Sequence, residues 1–497
     1  MPLAYVIGVD GGTESIRAHV FDLEGRSHGT AKGSYETRFP APARAEQDPE
    51  DWWRALGEAV RGAVSASGVD PGQIEALACD TTSCTVVALG EDGVPLRPCL
   101  LWMDVRAHEE AAEILATGDP ALALNGDGHG PLSPEWMLPK ALWLKRHEPE
   151  VWARAAKVGE YQDFVTLRLT GRWCASLNNA TMRWHYRTEH GGWPDGLLAA
   201  SGLEDLREKW PAEVAAPGEP IGPLTARAAE HLGLPTSVRV VQGGADAFIG
   251  MVGLGVKDEG DLALITGSSH LHLGIAAREV HAPGVWGTYA DCVYPGRHVI
   301  EGGQTSTGSV IAWFKRHFAA RTSYEALNEA AAALPPGAEG LLAVDHFQGN
   351  RTPHTDALAR GAITGLTLKH EPAHVYRALI EGVCLGTRAI LDAFEDAFAA
   401  RRIVVAGGAV NAPFWLQIHA DTLGLPLLIP EQPEAPALGS GILAAVGAGR
   451  FGSIDEGCDA MVRIARTVEP DMEAHAAYGP IHARYRAAYE ALKEVRE

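Results

Sequence analysis

The opening of the chain alternates apolar and polar positions in a pattern that predicts two strands joined by a tight turn. An apolar run over residues 5–9 ends in Asp10, glycines and small hydroxyl residues follow, and a second alternating run begins at Ile16. Glycines between two such runs are typical of a β-hairpin. The turn can direct several backbone N–H groups at one anion, and Asp10 can hold a metal ion or its waters beside it. A plain hairpin turn without a ligand fits this segment equally well.

The same pattern returns about half a chain later, over residues 261–278. Apolar positions lead to a small, hydroxyl-rich turn over residues 266–269, and an alternating run follows. The first hairpin carries neither a Walker motif nor a dinucleotide fingerprint. Two hairpins of this kind predict two related domains that face one nucleotide, and the alternative is a coincidence of two ordinary hairpins.

The remaining pattern predicts alternating strands and helices in both halves of the chain. Residues 49–67 have helical periodicity, with Asp48 as N-cap and a proline in the first turn. Residues 171–193 are irregular and are predicted to form a functional loop. Further strands are predicted over residues 74–78, 84–89, 238–241 and 402–406, and further helices over residues 247–254, 374–398, 411–423 and 475–495.

A polar turn over residues 257–260, between an apolar run and the second hairpin, predicts the boundary between the two domains. We therefore expect an N-terminal domain over residues 1–256 and a C-terminal domain over residues 257–497. A chain of 497 residues is too long for one hydrophobic core, so two domains of similar size fit the length.

Charge and composition narrow the classes of partner. The chain has 42 basic and 63 acidic residues, a formal net charge of −21, which argues against nucleic acid or an anionic membrane as a partner. Seven scattered cysteines without zinc spacing favour reduced thiols. No apolar run approaches the roughly 20 residues of a membrane span. We expect a soluble, cytoplasmic protein with no nucleic-acid or membrane partner.

The segment Gly243-Gly244-Ala245-Asp246 places a carboxylate directly after a predicted strand. Phosphate transfer to a hydroxyl needs such a group, because it accepts the hydroxyl proton as the oxygen attacks. A helix N-cap is the alternative for an isolated aspartate in this position. With two phosphate hairpins in the same chain, the interpretation of Asp246 as a general base is favoured.

Two glycine-rich segments of the second half are candidates for nucleotide binding. Gly407 and Gly408 follow a strand and would let a flat ring approach the backbone, with Asn411 bonding its polar edge. The stretch over residues 301–309 places small and hydroxyl residues before an apolar helix, where anions bind. Glu301 in that stretch fits a sugar hydroxyl better than a phosphate. A plain strand–helix turn and a helix-capping segment are the alternatives.

Polar and aromatic residues of the first half are candidates for a polyol pocket. Such pockets combine an aromatic wall with carboxylates and arginine that make paired hydrogen bonds. Each segment alone also fits a turn, a solvated helix start or a packed tryptophan. The candidates are Ser83, Cys84, Trp102, Asp104, Arg106, Glu135 and Trp136.

Taken in order, these segments resemble the FGGY carbohydrate kinases over essentially the whole chain. The segments GVDGGTESIRAHVFD, EQDPEDWW, WMDVRA, VQGGADAFIGMVG, ALITGSSHL, EGGQTSTGSVIAWF, RTPHTDALARGAITGLTL and VVAGGAVNAPFWLQIHAD carry the likeness. The resemblance implies two actin-like ATPase domains of the ribonuclease H-like α/β fold, with a nucleotide and sugar cleft between them. It also implies ATP-dependent, Mg²⁺-dependent phosphorylation of a sugar or polyol hydroxyl. Members of this family are often dimeric, so a homodimer is a further expectation, although the sequence shows no interface signal.

The resemblance assigns roles residue by residue. Asp246 matches the general base and Asp10 lies near the metal. Glu14, an acid in a phosphate turn, is expected to point away from phosphate or toward metal-bound water. The positions matched to ATP binding are Gly11, Gly12, Thr13, Glu14, Thr266, Gly267, Ser268, Gln304, Gly308, Gly407, Gly408 and Asn411.

Within this family the segments DTTSCT, SPEW and EGGQTSTGS look most like those of ribulokinase-like members. They would place Ser83, Cys84, Asp246 and Glu301 around a ketopentose. The lysine that precedes a tryptophan in that group has no clean match, and Arg183, before Trp184, is the nearest candidate. Xylulose, ribitol, erythritol and erythrulose therefore remain alternative substrates, and a nucleotide-gated sugar sensor remains the non-enzyme alternative.

Overall fold

A computed structural model describes residues 4–126, 132–281, 284–394 and 398–495. The strands are β1 Tyr5–Gly11, β2 Ser15–Asp22, β3 Ser27–Ser34, β4 Glu46–Gln47, β5 Ile74–Thr81, β6 Val86–Leu89, β7 Cys99–Leu100, β8 Lys157–Glu160, β9 Cys174–Ser176, β10 Glu213–Ala215, β11 Pro220–Pro223, β12 Arg239–Val241, β13 Asp261–Thr266, β14 His270–Ala276, β15 Gly287–Ala290, β16 His298–Gln304, β17 Leu342–Val344, β18 Ala362–Thr364, β19 Arg402–Gly407, β20 Leu427–Pro430 and β21 Ile464–Val468.

Helices connect these strands in both halves of the chain. They are α1 Pro49–Ser67, α2 His108–Ala116, α3 Met137–His147, α4 Pro149–Arg154, α5 Tyr161–Thr170, α6 Leu177–Arg183, α7 Asp195–Ala200, α8 Leu206–Lys209, α9 Ala226–Leu232, α10 Asp246–Gly253, α11 Gly308–Phe318, α12 Tyr324–Ala332, α13 Pro372–Ala393, α14 Pro413–Leu423, α15 Ala435–Gly447, α16 Ile454–Met461 and α17 Met472–Val495.

The chain forms two compact units. The first comprises residues 1–257, 289–299 and 434–462, and the second comprises residues 258–288, 300–433 and 463–497. Helices α15 and α16 thus pack with the first unit, although they lie late in the sequence. The division into functional domains at residues 256 and 257 stays a prediction.

The sheet of the first unit has the order β11-β12-β5-β1-β2-β3. Strands β1, β5 and β12 are parallel, and β1–β2, β2–β3 and β11–β12 are antiparallel pairs. Apolar residues of α1 fill one face of this sheet, among them Trp52, Leu56 and Val60, all buried. The helix predicted from the amphipathic pattern of residues 49–67 is therefore confirmed over the same residues.

The second unit repeats this topology. Its neighbouring strands β14-β13-β19-β20-β21 have the same sequence of directions as β2-β1-β5-β12-β11: an antiparallel hairpin, two parallel neighbours, then an antiparallel strand. The two hairpins of the sequence thus occupy equivalent places in two related sheets. The predicted duplicated α/β fold is confirmed.

Two local predictions were wrong. The loop predicted over residues 171–193 is wrong for residues 174–183, because β9 and α6 lie there and the amides of Asn178 and Asn179 are buried and hydrogen-bonded inside the unit. The strand predicted over residues 84–89 begins only at Val86, because Cys84 has a φ of +61°, which a strand does not accommodate.

Candidate active site

The first hairpin turn, residues 12–14, is held by side chains from three other segments of the first unit. The Tyr35 hydroxyl donates to the carbonyl of Gly12, and Gln47 Nε2 donates to the carbonyl of Thr13 at 2.6 Å. Trp102 Nε1 donates to Thr13 Oγ1 at 3.0 Å. These three hydrogen bonds fix the turn to neighbouring segments of the first unit. Glu14 is exposed, so its carboxylate is free to face solvent.

Two carboxyl groups lie side by side where β1 and β5 end. Asp10 and Asp80 are partners across the parallel β1–β5 pair, and both are buried. Asp80 Oδ2 accepts a hydrogen bond from Ser440 Oγ at 2.7 Å, while its Oδ1 has no hydrogen-bond partner. Burial raises the pKa of Asp10 to about 6, against the opposing charge of Arg17. Burial and the charge of Asp10 raise the pKa of Asp80 well above its usual range.

This pair fits a hard cation, because carboxylate oxygens are the ligands that Mg²⁺ prefers and Mg²⁺ keeps several waters. Asp80 Oδ1 is the observation that supports the fit, since a buried oxygen without a partner is costly. Among the residues that the structure describes, no three His, Cys, Asp or Glu side chains are grouped to hold a metal by themselves. Phosphate oxygens and water would have to complete such a site.

Asp246 lies at the end of the next parallel strand, as the first residue of α10. The Gly244 carbonyl accepts from Thr81 N–H at 3.0 Å, and Asn178 Oδ1 accepts from Ala245 N–H at 2.8 Å, so the preceding turn is fixed against β5 and α6. Side chains would not fit here, since a Cβ on Gly243 would lie 1.9 Å from the Cys79 carbonyl.

The carboxyl of Asp246 is partly buried and has an unusual proton affinity. Burial, with the negative charge of Asp10 adding to it, raises the pKa of Asp246 to about 7, while the Ala247 N–H opposes this rise. A carboxylate with a pKa near neutrality is suited to accept a proton, because general-base catalysis works best when the pKa lies near the working pH.

The turn of Ser83 and Cys84 is held from both sides by buried charged groups. The Cys84 N–H donates to Glu160 Oε2 at 2.8 Å, and Lys140 Nζ donates to the Cys84 carbonyl at 2.8 Å and to the Leu101 carbonyl at 2.7 Å. These bonds stabilise the left-handed conformation of Cys84, which is costly for a residue with a side chain. Burial lowers the pKa of Lys140 and raises the pKa of Glu160.

Arg183 lies in the same neighbourhood as this turn. Its guanidinium carbon is 5.3 Å from the ring centroid of Trp136, and its Nη1 donates to the Tyr289 hydroxyl at 2.9 Å. The charges of Arg183 and Glu135 both act on the Cys84 thiol, whose pKa is raised to about 12 chiefly by burial. The structure therefore brings Ser83, Cys84, Glu135, Trp136 and Arg183 together.

Asp104 and Arg106 form an internal ion pair. Arg106 Nη2 donates to Asp104 Oδ2 at 2.6 Å and to Glu46 Oε1 at 2.8 Å, and Asp104 also accepts from the Ala45 N–H. Both side chains are nearly inaccessible to solvent. Their hydrogen-bonding groups are thus used to anchor neighbouring backbone, although the sequence analysis predicts them as substrate ligands.

The second unit contains a cavity of about 410 Å³ beside its own hairpin. That volume lies within the roughly 300–1,000 Å³ of small-molecule pockets. Thr266 Oγ1 accepts from Ala409 N–H and donates to the Ala406 carbonyl, which joins the hairpin to the glycine turn after β19. The cavity is lined by Thr266, Gly267, Gly308, Gly408, Asn411 and Trp415, among others.

Two glycines around this cavity are required by close backbone approach. A Cβ on Gly308 would lie 2.5 Å from the Gly267 carbonyl, and one on Gly407, which has a φ of +89°, would lie 1.9 Å from the Thr266 carbonyl. Gly408 differs, because nothing lies within 4 Å of the Cβ it lacks. Its open side is the space that a flat ring could occupy.

Three further residues predicted as ligands are not among the residues that line this cavity. Gln304 Nε2 donates to Asp345 Oδ2 and to the Val383 carbonyl, and its Oε1 accepts from Thr387, so its amide is engaged inside the unit. Ser268 is exposed, and its carbonyl accepts from the Thr307 N–H. Glu301 is buried within β16.

Sequence reasoning missed several residues that organise the site. Asp80 follows an apolar strand as Asp10 does, so the same signal was available for it. Lys140, Glu160, Asn178 and Gln47 carried no local signal, because their partners lie tens of residues away.

Comparisons with known proteins agree with this architecture. The N-terminal domain model of the FGGY family of carbohydrate kinases matches residues 5–253, and the C-terminal domain model matches residues 262–448. An FGGY carbohydrate kinase domain-containing protein of Xenopus laevis is 33% identical, over 94% of this chain and 93% of that relative. A ribulokinase of Mycolicibacterium smegmatis is 33% identical, over 97% of this chain and 92% of that relative.

The likeness extends to solved structures. A xylulose kinase from Rhodospirillum rubrum is 27% identical, with a TM-score of 0.89 over 99% of each chain. The duplicated α/β fold and these matches define a carbohydrate kinase, a phosphotransferase that acts on an alcohol group. The chain belongs to the FGGY family of carbohydrate kinases. No helix within the described ranges is long and apolar enough to cross a bilayer.

Proposed function

We propose that this protein is a pentulose kinase that transfers the γ-phosphate of ATP to a terminal hydroxyl of ribulose. The observation that carries the proposal is Asp246, a partly buried carboxylate with a pKa of about 7 at the end of a strand, next to the Asp10 and Asp80 pair. Ribulokinases are among the relatives with 30% identity or more, which supports ribulose as the acceptor.

In the proposed reaction, the Asp246 carboxylate accepts the proton of the sugar hydroxyl while its oxygen attacks the γ-phosphorus in line with the leaving oxygen of ADP. The backbone of residues 11–13 and the Thr13 hydroxyl bind phosphate oxygens. Asp10 and its cross-strand partner Asp80 would hold Mg²⁺, which would neutralise negative charge on the phosphates. Excluding water around Asp246 would limit wasteful hydrolysis of ATP.

The sugar is proposed to bind to the turn of Ser83 and Cys84, with Arg183, Glu135 and the aromatic groups beside it. The adenosine of ATP is proposed to occupy the cavity of the second unit, with its ring against the open side of Gly408 and Asn411 at its edge.

All seven cysteines are free and buried, which suits a reducing cytoplasm as the place of action.

Xylulose is the second candidate acceptor. The xylulose kinase of Rhodospirillum rubrum shares the fold over nearly the full chain, and Arg183 stands near the position where a lysine is expected in ribulokinase-like sequences. A site that hydrogen-bonds each hydroxyl separates such isomers strongly, because a mismatched hydroxyl leaves buried polar groups unpaired.

A coupled ADP-release assay with Mg-ATP and a panel of D- and L-ribulose, D- and L-xylulose, ribitol, erythritol, erythrulose and glycerol tests this proposal. We expect release that depends on ribulose. Release only with another polyol would refute the substrate, and tight ATP binding without release on any acceptor would favour a sugar sensor.

A further inference from the structure

Trp102 connects the hairpin turn to the proposed sugar-binding turn within the first unit. Its indole Nε1 donates to Thr13 Oγ1 at 3.0 Å, and its backbone N–H donates to Thr85 Oγ1 at 3.2 Å. The Thr85 hydroxyl in turn contacts the Thr82 hydroxyl at 3.1 Å and donates to the Ser83 carbonyl at 3.4 Å. Trp102 is therefore bonded directly to the hairpin turn and, through Thr85, to the turn of Ser83.

The bond to Thr13 fixes the direction in which that hydroxyl donates. An indole N–H is a donor only, whereas a hydroxyl has one hydrogen and two lone pairs. Because Thr13 Oγ1 accepts from Trp102, its hydrogen remains available for an acceptor such as a phosphate oxygen. A hydroxyl that accepts one hydrogen bond is also a stronger donor, because consecutive hydrogen bonds polarise each other.

A second tryptophan supports the same turn in a different way. Trp52 Nε1 donates to Gln47 Oε1 at 2.9 Å, and Gln47 holds the Thr13 carbonyl. Trp52 is fully buried and packed, with its ring centroid 3.7 Å from that of Tyr161. Through Gln47, Trp52 therefore holds the backbone of the turn and not the Thr13 hydroxyl.

Trp102 differs from Trp52 because its side chain is partly exposed to solvent. It is 37% exposed, so part of its ring is not covered by protein and can pack against the C–H face of a sugar. A sugar that covers the ring would restrict the indole to the orientation that bonds Thr13. If sugar holds the indole in place, the bond from Trp102 Nε1 to Thr13 Oγ1 is already ordered when phosphate binds, so phosphate binding costs less conformational entropy.

We propose that Trp102 is a positioning residue that couples sugar binding to the phosphate-binding state of the hairpin, so that bound sugar raises the affinity for ATP. This inference rests on the proposed function. Coupling between two ligands is reciprocal, so sugar would raise the affinity for ATP by the same factor by which ATP raises the affinity for sugar. We expect a factor of about 5–150, the usual range of such couplings.

The experiment measures the affinity for the non-hydrolysable ATP analogue AMP-PNP by calorimetry, with and without saturating ribulose. Trp102→Phe keeps an aromatic face but loses the N–H donor, and Thr13→Val loses the acceptor. Trp173→Phe is the matched control, because it also removes an indole N–H donor, in this case the donor to the Lys209 carbonyl.

We expect the coupling factor to fall to about 1 in Trp102→Phe and in Thr13→Val, because each variant removes one partner of the bond between Trp102 Nε1 and Thr13 Oγ1. The double variant should be no worse than Thr13→Val, and Trp173→Phe should keep the wild-type factor. A merely structural effect would lower the unfolding temperature without changing the factor.

Two other results separate the inference from the proposed function. If the wild-type protein phosphorylates ribulose and Trp102→Phe keeps the full coupling factor, the inference is overturned while the proposed function stands. If the wild-type protein neither phosphorylates a sugar nor shows coupling, both are overturned.

Discussion

Replacing Asp246 by asparagine tests the assignment of the general base. The amide keeps the size of the carboxyl and its contact to the Ala247 N–H, which bonds Oδ1 at 2.7 Å, but it cannot take a proton. We expect kcat to fall by about 10²–10⁴-fold, the usual contribution of a general base, which corresponds to about 3–5 kcal/mol in activation free energy. The Kd for ATP should change little.

If Asp246 is the general base, its pKa sets the pH at which the wild-type enzyme loses activity. With a pKa of about 7, a group that must be deprotonated is about nine-tenths active at pH 8 and about one-tenth active at pH 6. The sign follows from the role of a base, so activity falls as pH falls. We therefore expect kcat/KM to drop roughly tenfold between pH 8 and pH 6.

The assay is initial-rate ADP release from pH 5.5 to pH 9 at saturating Mg-ATP with varied ribulose. Asp195→Asn is the matched control, because Asp195 is also the first residue of a helix but is exposed and is not among the residues proposed to bind a ligand. Its rate and its pH profile should equal those of the wild-type protein.

Two results would refute this reasoning. One is an Asp246→Asn enzyme that folds and keeps activity within about threefold of wild type, well short of a base contribution. The other is a wild-type profile that stays flat down to pH 6, because a group with an elevated pKa would then not control the rate.

Three further predictions concern the nucleotide, the sugar turn and the metal. Gly408→Leu should fill the open side of the cavity and raise the KM for ATP at least about tenfold while leaving that for ribulose unchanged, whereas Gly479→Leu, also in open space, should alter neither in the same steady-state assay. Lys140→Met removes the lysine donor from the Cys84 carbonyl and one of the two donors to the Leu101 carbonyl, which also accepts from the Asp104 N–H, and should lower the free energy of unfolding in urea by about 1–3 kcal/mol, against less than about 0.5 kcal/mol for the more exposed Lys157→Met; equal losses would contradict this. Asp10→Asn should raise the Mg²⁺ concentration needed for half-maximal rate about tenfold or more, and an unchanged magnesium titration would remove Asp10 from the metal site.

Local signals were sufficient for the hairpins and for the aspartates at strand ends. Asp10 and Asp246 each follow an apolar run, and parallel strands bring their carboxyl ends to one edge of the sheet. The repeated turn at Thr266 was visible for the same reason. These predictions needed only the neighbouring residues in the chain.

Long-range pairing decided what the sequence could not predict. The sequence pattern predicts that Asp104 and Arg106 bind sugar. In the structure Glu46, 60 positions earlier in the chain than Arg106, accepts a hydrogen bond from that arginine, so its guanidinium is engaged inside the protein. The left-handed turn at Cys84 depends on Glu160 and Lys140, which come from a distant strand and helix. No pattern around Cys84 itself indicates either partner.

The central claim is transfer of phosphate from ATP to ribulose with Asp246 as the base. Its most direct test is ³¹P NMR of a reaction with Mg-ATP and ribulose, comparing the wild-type protein with Asp246→Asn. We expect a new sugar-phosphate signal that grows in step with ADP in the wild-type sample and is nearly absent in the variant. Formation of ADP and free phosphate without a sugar phosphate, or equal sugar phosphate in both samples, would contradict the account.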